Sequence, residues 1–195
     1  MTARKPRRRV GTYYFLGLDL GKVQDPAAIA VAEVPKSDIH IRHLERIPLG
    51  TPYPKVIERV TAIIEKLPSA DLVVDATGVG RPVIDQMRET GLEPIPVTIT
   101  AGRFMSFDGD MWRVPKKALL RPLIAASEAG RLKVAKGLRE AGAFQRELQA
   151  FQRRITARGY SAFGGVGEHD DLVIAVALIC WRVEISRRLG ISNAA

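Results

Sequence analysis

Cysteine is almost missing from this 195-residue chain: Cys180 is the single one. That excludes an intrachain disulfide and a zinc centre built from several thiolates, and it points to a reducing compartment. Long apolar runs are missing too. The longest, Leu172 to Trp181, reaches about half of the ~18 residues that a membrane span requires, and it directly follows two aspartates. The N-terminus is basic but lacks the apolar stretch of a secretory signal. No G-x-x-x-x-G-K-[ST] phosphate loop occurs, and Gly78 to Gly80 cannot stand in because no Lys-Ser/Thr pair follows. ATP-driven translocation is therefore not expected of this chain. No serine or cysteine nucleophile stands out.

Acidic residues are in short supply relative to basic ones. Thirty Lys and Arg against 21 Asp and Glu give a formal charge of +9. That balance favours a polyanionic partner, because each neutralised phosphate releases condensed counterions. Arg4, Lys5, Arg7, Arg8 and Arg9 supply five of the nine, leaving +4 on the rest. Residues 1–11 thus read as a basic flexible arm, either solvated or DNA-contacting. Residues 12–190 read as one globular domain with a single core, and 191–195 as a tail.

Along the domain, Thr12 to Asp19, Ala27 to Val34 and Ile39 to Ile47 read as three strands joined by short turns, an antiparallel meander. Val56, Ile57, Val60, Ile63, Ile64 and Leu67 recur at helical spacing. Asp71 to Asp75 is a short buried strand, followed by a helix to about Glu89 and a strand over Pro94 to Thr98. These are β-turn-helix-β units with parallel strands. Residues 99–115 suit a hairpin or loop. Lys116 to Ala129 and Leu138 to Gln152 read as helices around a short strand at Leu132 to Val134. Ile155 to Phe163 reads as another strand, and Asp170 to Arg188 as the last helix. The expected architecture is α/β, a mixed sheet with helices on both faces.

Single acids interrupt the apolar runs at informative places. Asp19 ends the first strand, Asp75 ends Leu72-Val73-Val74, and Asp170 and Asp171 open the apolar run of the last helix. A lone carboxylate in such surroundings is costly unless it is paired, hydrogen-bonded or bound to a cation. Crowded carboxylates also raise one another's pKa values. If the three elements converge, the acids form an oxygen-rich site suited to Mg²⁺ or Mn²⁺. Two such ions about 3.5–4 Å apart activate a water and stabilise the leaving 3′-oxygen in phosphodiester cleavage. Each acid also has a plainer reading: Asp19 could shape a turn before Gly21, Asp75 could cap the next helix, and Asp170 or Asp171 is a natural N-cap. Capping explains one of that pair, not two.

The series Gly17-Leu18-Asp19-Leu20-Gly21, Asp25-Pro26-Ala27-Ala28-Ile29-Ala30, Val74-Asp75-Ala76-Thr77-Gly78-Val79-Gly80 and His169-Asp170-Asp171-Leu172-Val173-Ile174-Ala175 resembles the nuclease domain of tailed-phage large terminase subunits. Val97 to Gly102, Val114-Pro115-Lys116 and Arg146 to Phe151 resemble it as well. The likeness implies a ribonuclease H-like fold with a central five-stranded mixed sheet, its first three strands antiparallel. It also implies metal-dependent cutting of double-stranded DNA, in which phage genome concatemers are cleaved during packaging. Asp19, Asp75 and Asp170 would be the ligands for Mg²⁺ or Mn²⁺, with Asp171 adjoining and two ions present when DNA is bound. Asp25 would support a metal through water, although an Asp-Pro turn is a competing role. His169 would orient a carboxylate or contact a phosphate. The implied partners are a separate packaging ATPase, a small terminase and a portal, with no membrane, in the cytoplasm of a bacterial host.

Arg103, Arg113, Lys116 and Lys117 could face DNA, as could Arg153, Arg154 and Arg158; a solvated face explains each group equally well. Trp112 and Trp181 read as packing residues, and Cys180 as inert core. Two other functions share parts of this pattern. A Holliday-junction resolvase has similar acids and length, and an actin-like ATPase shares the three-strand opening and an aspartate-glycine turn.

Overall fold

A computed structural model of the chain describes residues 13–21, 26–78, 80–158 and 170–190. The three opening strands are β1 (Tyr14–Asp19), β2 (Ala27–Glu33) and β3 (Ile39–Ile47). Then come α1 (Tyr53–Ile64), β4 (Ala70–Asp75), α2 (Gly80–Glu89) and β5 (Pro94–Thr100). A small hairpin of β6 (Ser106–Phe107) and β7 (Trp112–Pro115) leads into α3 (Lys116–Glu128). The chain finishes with β8 (Leu132–Val134), α4 (Ala141–Arg158) and α5 (Asp171–Arg188).

The strands form one mixed sheet of order β6-β7-β5-β4-β1-β2-β3-β8. β1, β2 and β3 pair antiparallel as expected, and β4 lies parallel to β1, with β5 parallel to β4. These are the five strands of the expected sheet. The structure adds β7 and β6 outside β5, and β8 outside β3, for eight in all. The additions are two to four residues long. β8 is the short strand expected over Leu132 to Val134, and β6 with β7 is the hairpin offered for residues 99–115; that they extend the sheet depends on edge pairing, which runs this short do not reveal. The strand expected over Ile155 to Phe163 is corrected in part: residues up to Arg158 continue α4. Ile155 and Thr156 are β-branched, but the Gln and Arg residues before them favour continuation of the helix. Residues 159–163 lie outside the described residues, as do the arm over 1–11 and the tail over 191–195.

Alternation along β1 divides the core in two. Tyr13 and Phe15 point into the layer formed by α3, α4 and α5, while Leu16 and Leu18 point toward α1 and α2. Helix α5 is buried almost all round, which is why its sequence is apolar without a helical stripe. It crosses β1 directly over Gly17. A Cβ built on Gly17 would stand 2.0 Å from the Ala175 carbonyl oxygen, so only glycine permits this approach. At the far end, Arg182 Nε donates to Asp71 Oδ2 at 2.8 Å, and the Tyr13 hydroxyl donates to the other Asp71 oxygen. The helix is thus fixed both in depth and along its length, with its N-terminus held at the C-terminal edge of β1 and β4.

Gly17→Ala is expected to destabilise the protein by about 2–4 kcal/mol, because a backbone carbonyl, unlike a side chain, cannot swing away. Denaturant unfolding measures the loss. A change within about 0.5 kcal/mol would mean that α5 is not seated on β1 in this way.

Candidate active site

The parallel pairing of β1 and β4 sets Asp19 directly opposite Asp75. Both strands end there, so both carboxylates emerge at the sheet edge where βαβ connections leave room for ligands. Helix α5 brings Asp170 and Asp171 to the same edge. The four acids line one cavity of about 190 Å³ with Gly21, Thr77, Ile99, Lys116 and Ile174. Residues more than 150 positions apart in the chain therefore meet, as the sequence pattern leads one to expect.

Each acid has its own local partner. Asp19 Oδ1 accepts from the Gly21 N–H at 3.0 Å, and Asp75 Oδ1 accepts from the Thr77 N–H at 2.8 Å. The turn role considered for Asp19 is therefore real, and Asp75 shapes a turn instead of capping α2. Neither role accounts for placing the two side by side. Asp170 occupies the N-cap position of α5, but its side chain makes no capping bond. Its Oδ2 lies 3.2 Å from Lys116 Nζ. Asp171, only 4 % exposed, sits 3.8 Å from Arg46 Nε. Thr77 Oγ1 accepts from the Ile99 N–H at 2.8 Å, tying the wall of the cavity to β5.

Burial pushes the Asp19 carboxyl well above the usual carboxylate range. The charge of Asp75 adds to this, the Gly21 N–H opposes it, and Asp171 and Asp170 add smaller increments. Burial and neighbouring like charge both disfavour the ionised carboxylate. The donor set consists of oxygens, which suits a hard divalent ion such as Mg²⁺ or Mn²⁺. Among the described residues, no three histidine, cysteine, aspartate or glutamate side chains stand in a ready-made coordination set. The acids share a cavity while each turns to its own donor, and gathering them onto an ion would exchange those local bonds for ligation.

No protein-family model matches the chain, and no curated protein does. Solved structures do. The large terminase nuclease from thermophilic phage G20c with bound magnesium is 25% identical, over 88% of this chain and 82% of that one, with a TM-score of 0.63. A large terminase from a second thermophilic bacteriophage is 12% identical with a TM-score of 0.63. It matches 94% of this chain, which spans only 42% of that longer protein. The manganese-soaked human cytomegalovirus terminase nuclease domain is 12% identical, over 89% of this chain and 83% of that domain, with a TM-score of 0.54. The chain has the fold of a large-terminase nuclease domain. Its mixed sheet is ribonuclease H-like, as the motifs imply.

Within this terminase nuclease fold, the basic residues named from the sequence scatter. Lys116 does not stand on the surface with Lys117 but reaches into the acidic cavity. Arg113 is exposed on β7, 4.0 Å from Asp108 Oδ2. Arg103 and Lys117 border a second, larger cavity. The side chains of Arg153, Arg154 and Arg158 lie outside the described residues, as do Asp25 and His169. Trp112 and Trp181 pack edge to face at 5.5 Å. Cys180 is buried, which pushes its thiol up to about 12 and leaves it inert.

Two further residues stand behind the cavity: Glu147, within the stretch Arg146 to Phe151 that resembles the terminase nuclease, and Arg46, which carries no sequence signal of its own. Glu147 on α4 accepts from the Arg46 guanidinium and, at 3.3 Å, from the Val173 N–H in the first turn of α5. Arg46 on β3 lies between Glu147, Glu140 and Asp171. A carboxylate at a helix N-terminus is favourable, and the bridge through Arg46 fixes where Asp171 sits.

The raised Asp19 pKa has a defined consequence for stability. The folded protein holds the proton more tightly than the unfolded chain, so stability falls as pH rises from the ordinary value of 3.8 through the raised folded value. Asp19→Asn removes that penalty. In EDTA at neutral pH its melting temperature is expected to exceed that of the parent by a few degrees, with the gap closing on acidification. Melting curves of both proteins across pH check this, and an equal or lower melting temperature for the variant at neutral pH contradicts it.

Proposed function

We propose that this chain is a Mg²⁺- or Mn²⁺-dependent endonuclease that hydrolyses phosphodiester bonds of double-stranded DNA, acting as the cutting component of phage genome packaging. The observation that carries the reading is the joining of Asp19, Asp75, Asp170 and Asp171 in one cavity at the edge of a terminase-nuclease sheet. Three of the similar structures point the same way: one G20c terminase nuclease has bound magnesium, another has bound zinc, and the cytomegalovirus domain is manganese-soaked.

Divalent ions bound by these carboxylates, two of them when DNA is present, supply charge neutralisation, water activation and stabilisation of the leaving oxygen. The chain's own residues do the rest. Asp19 and Asp75, one on each of two paired strands, form the rigid side of the site, because neither strand can shift without breaking the sheet. Asp170 and Asp171 complete it from α5, whose depth is set at Gly17. Arg46 and Glu147 hold Asp171 from behind. Lys116 brings one positive charge into a cavity that an anionic backbone must enter against four carboxylates. In this reading Asp25 supports an ion through water and His169 orients a carboxylate or a phosphate.

The DNA contacts of Arg103, Arg113, Lys117, Arg153, Arg154 and Arg158 are part of the same proposal. They would be phosphate contacts with little reading of bases, so that cleavage weakens with added salt. The packaging ATPase, small terminase and portal are proposed as separate partners in the cytoplasm of a bacterial host. No helix among the described residues is long and apolar enough to cross a membrane.

Incubation of supercoiled plasmid with the purified protein tests the reading. Nicking and linearisation are expected with Mn²⁺ or Mg²⁺ and none with EDTA. Asp75→Asn should lose at least about a hundredfold in rate while keeping its fold, since one ligand charge is removed from the carboxylate cavity. Cleavage in EDTA would overturn the metal requirement, and full activity of Asp75→Asn would remove that residue from the mechanism.

A further inference from the structure

A second cavity, about 910 Å³, is separate from the acidic one and shares no lining residue with it. It lies between α3 and the C-terminal half of α5, under the segment that joins β5 to β6. Its α5 residues begin at Cys180, about 13 Å along the helix axis from Asp171. The rim is basic: Arg103, Lys117, Arg121, Arg131, Arg187 and Arg188 line it against a single acid, Glu184. The floor is apolar, built from Met105, Ala118, Pro122, Cys180 and Trp181.

The cationic charge of the rim is largely left standing. Glu184 pairs with Arg188 at 2.9 Å. Arg131 and Arg187 donate to the Ser37 and Lys36 carbonyls at 3.2 and 2.9 Å, which are neutral acceptors. Arg103 and Arg121 are exposed and form no ion pair among the described residues. Beside the cavity, Phe104 is 87 % exposed between two lining residues, Arg103 and Met105. Within α3, Pro122 has no N–H to give to the Ala118 carbonyl.

We infer that this groove is a docking site for an acidic, amphipathic peptide segment of a partner protein. Two complementary features select that occupant. The cations call for carboxylates, and the recessed apolar floor calls for Leu- or Phe-like anchors, the arrangement by which amphipathic helices enter grooves. Duplex DNA offers the charge, but its apolar surface is confined to sugars, stacked bases and thymine methyls within the grooves, which do not project into a recess as a leucine or phenylalanine side chain does. The chain's own basic arm over residues 1–11 has the wrong sign. The inference goes beyond the nuclease reading and does not depend on its carboxylates, since no lining residue belongs to their cavity; Arg103 and Lys117 are shared with the DNA contacts proposed above, so DNA and the peptide compete for this part of the rim.

Fluorescence anisotropy with the full chain tests it, using a dye-labelled peptide that carries glutamates on one helical face and leucines on the other. Saturable binding that weakens with salt is expected, together with no binding of the matched lysine-leucine peptide. Arg103→Glu combined with Arg121→Glu should weaken binding at least about tenfold, and so should Ala125→Glu alone, while Arg121→Lys retains it. Circular dichroism verifies that the variants are folded, which is expected because all three positions are exposed. No saturable binding, equal affinity in the charge-reversed variants, or equal affinity for a matched peptide whose leucines are replaced by serines would each overturn the assignment.

Discussion

The packing of α5 on β1 is the contact from which the candidate site follows. Glycine at position 17 lets a helix backbone touch a strand backbone, and that single close approach determines how far the helix start stands from the sheet edge. Had the helix been raised by one side-chain layer, Asp170 and Asp171 would clear Asp19 and Asp75 by several ångströms. The Arg182–Asp71–Tyr13 cluster prevents the helix from sliding, and the Arg46–Glu147 bridge closes behind Asp171. The site is therefore held on strands and a buried helix, not on loops, which is what positioning within fractions of an ångström requires.

Charge is segregated over this frame. Four carboxylates are collected at the C-terminal edge of the central strands, where the sheet leaves an open end. Cationic groups are spread over the arm, β7, α3 and the end of α5. A basic chain can attract a polyanion over long range through the second set, while the first presents a locally repulsive pocket that divalent cations would neutralise. Burial and, after it, the neighbouring Asp75 charge raise the Asp19 pKa in that pocket. Lys116 is the exception that links the two populations, since it is a cation placed among the acids.

Much of this is legible in the sequence, for a definite reason. Long strands with acids at their ends leave a pattern that survives without coordinates: Leu16 to Asp19 and Leu72 to Asp75 are apolar runs closed by a carboxylate, and α5 is an apolar helix opened by two. The parallel relation of β1 and β4 then makes convergence a matter of topology. What stays hidden depends on pairing across distance. The strand at Leu132 to Val134 is legible as such, but that β8 and the β6–β7 hairpin extend the sheet shows only once their neighbours are in place. Arg46 and Glu147 are ordinary surface-type residues until β3 and α4 bring them together. Lys116 and Lys117 are indistinguishable as letters, yet one lines the acidic cavity and the other the basic groove, because adjacent residues at a helix start point about 100° apart. Ile155 suggests a strand and lies in a helix, because β-branching is a weak argument against a continuing helix.

Anomalous diffraction from crystals soaked in Mn²⁺ tests the central claim most directly. The account requires manganese density within ligating distance, about 2.0–2.2 Å, of carboxylate oxygens from Asp19, Asp75 and at least one of Asp170 and Asp171. Manganese bound elsewhere with that cavity lacking a peak, or held by acids from one element alone, would contradict it.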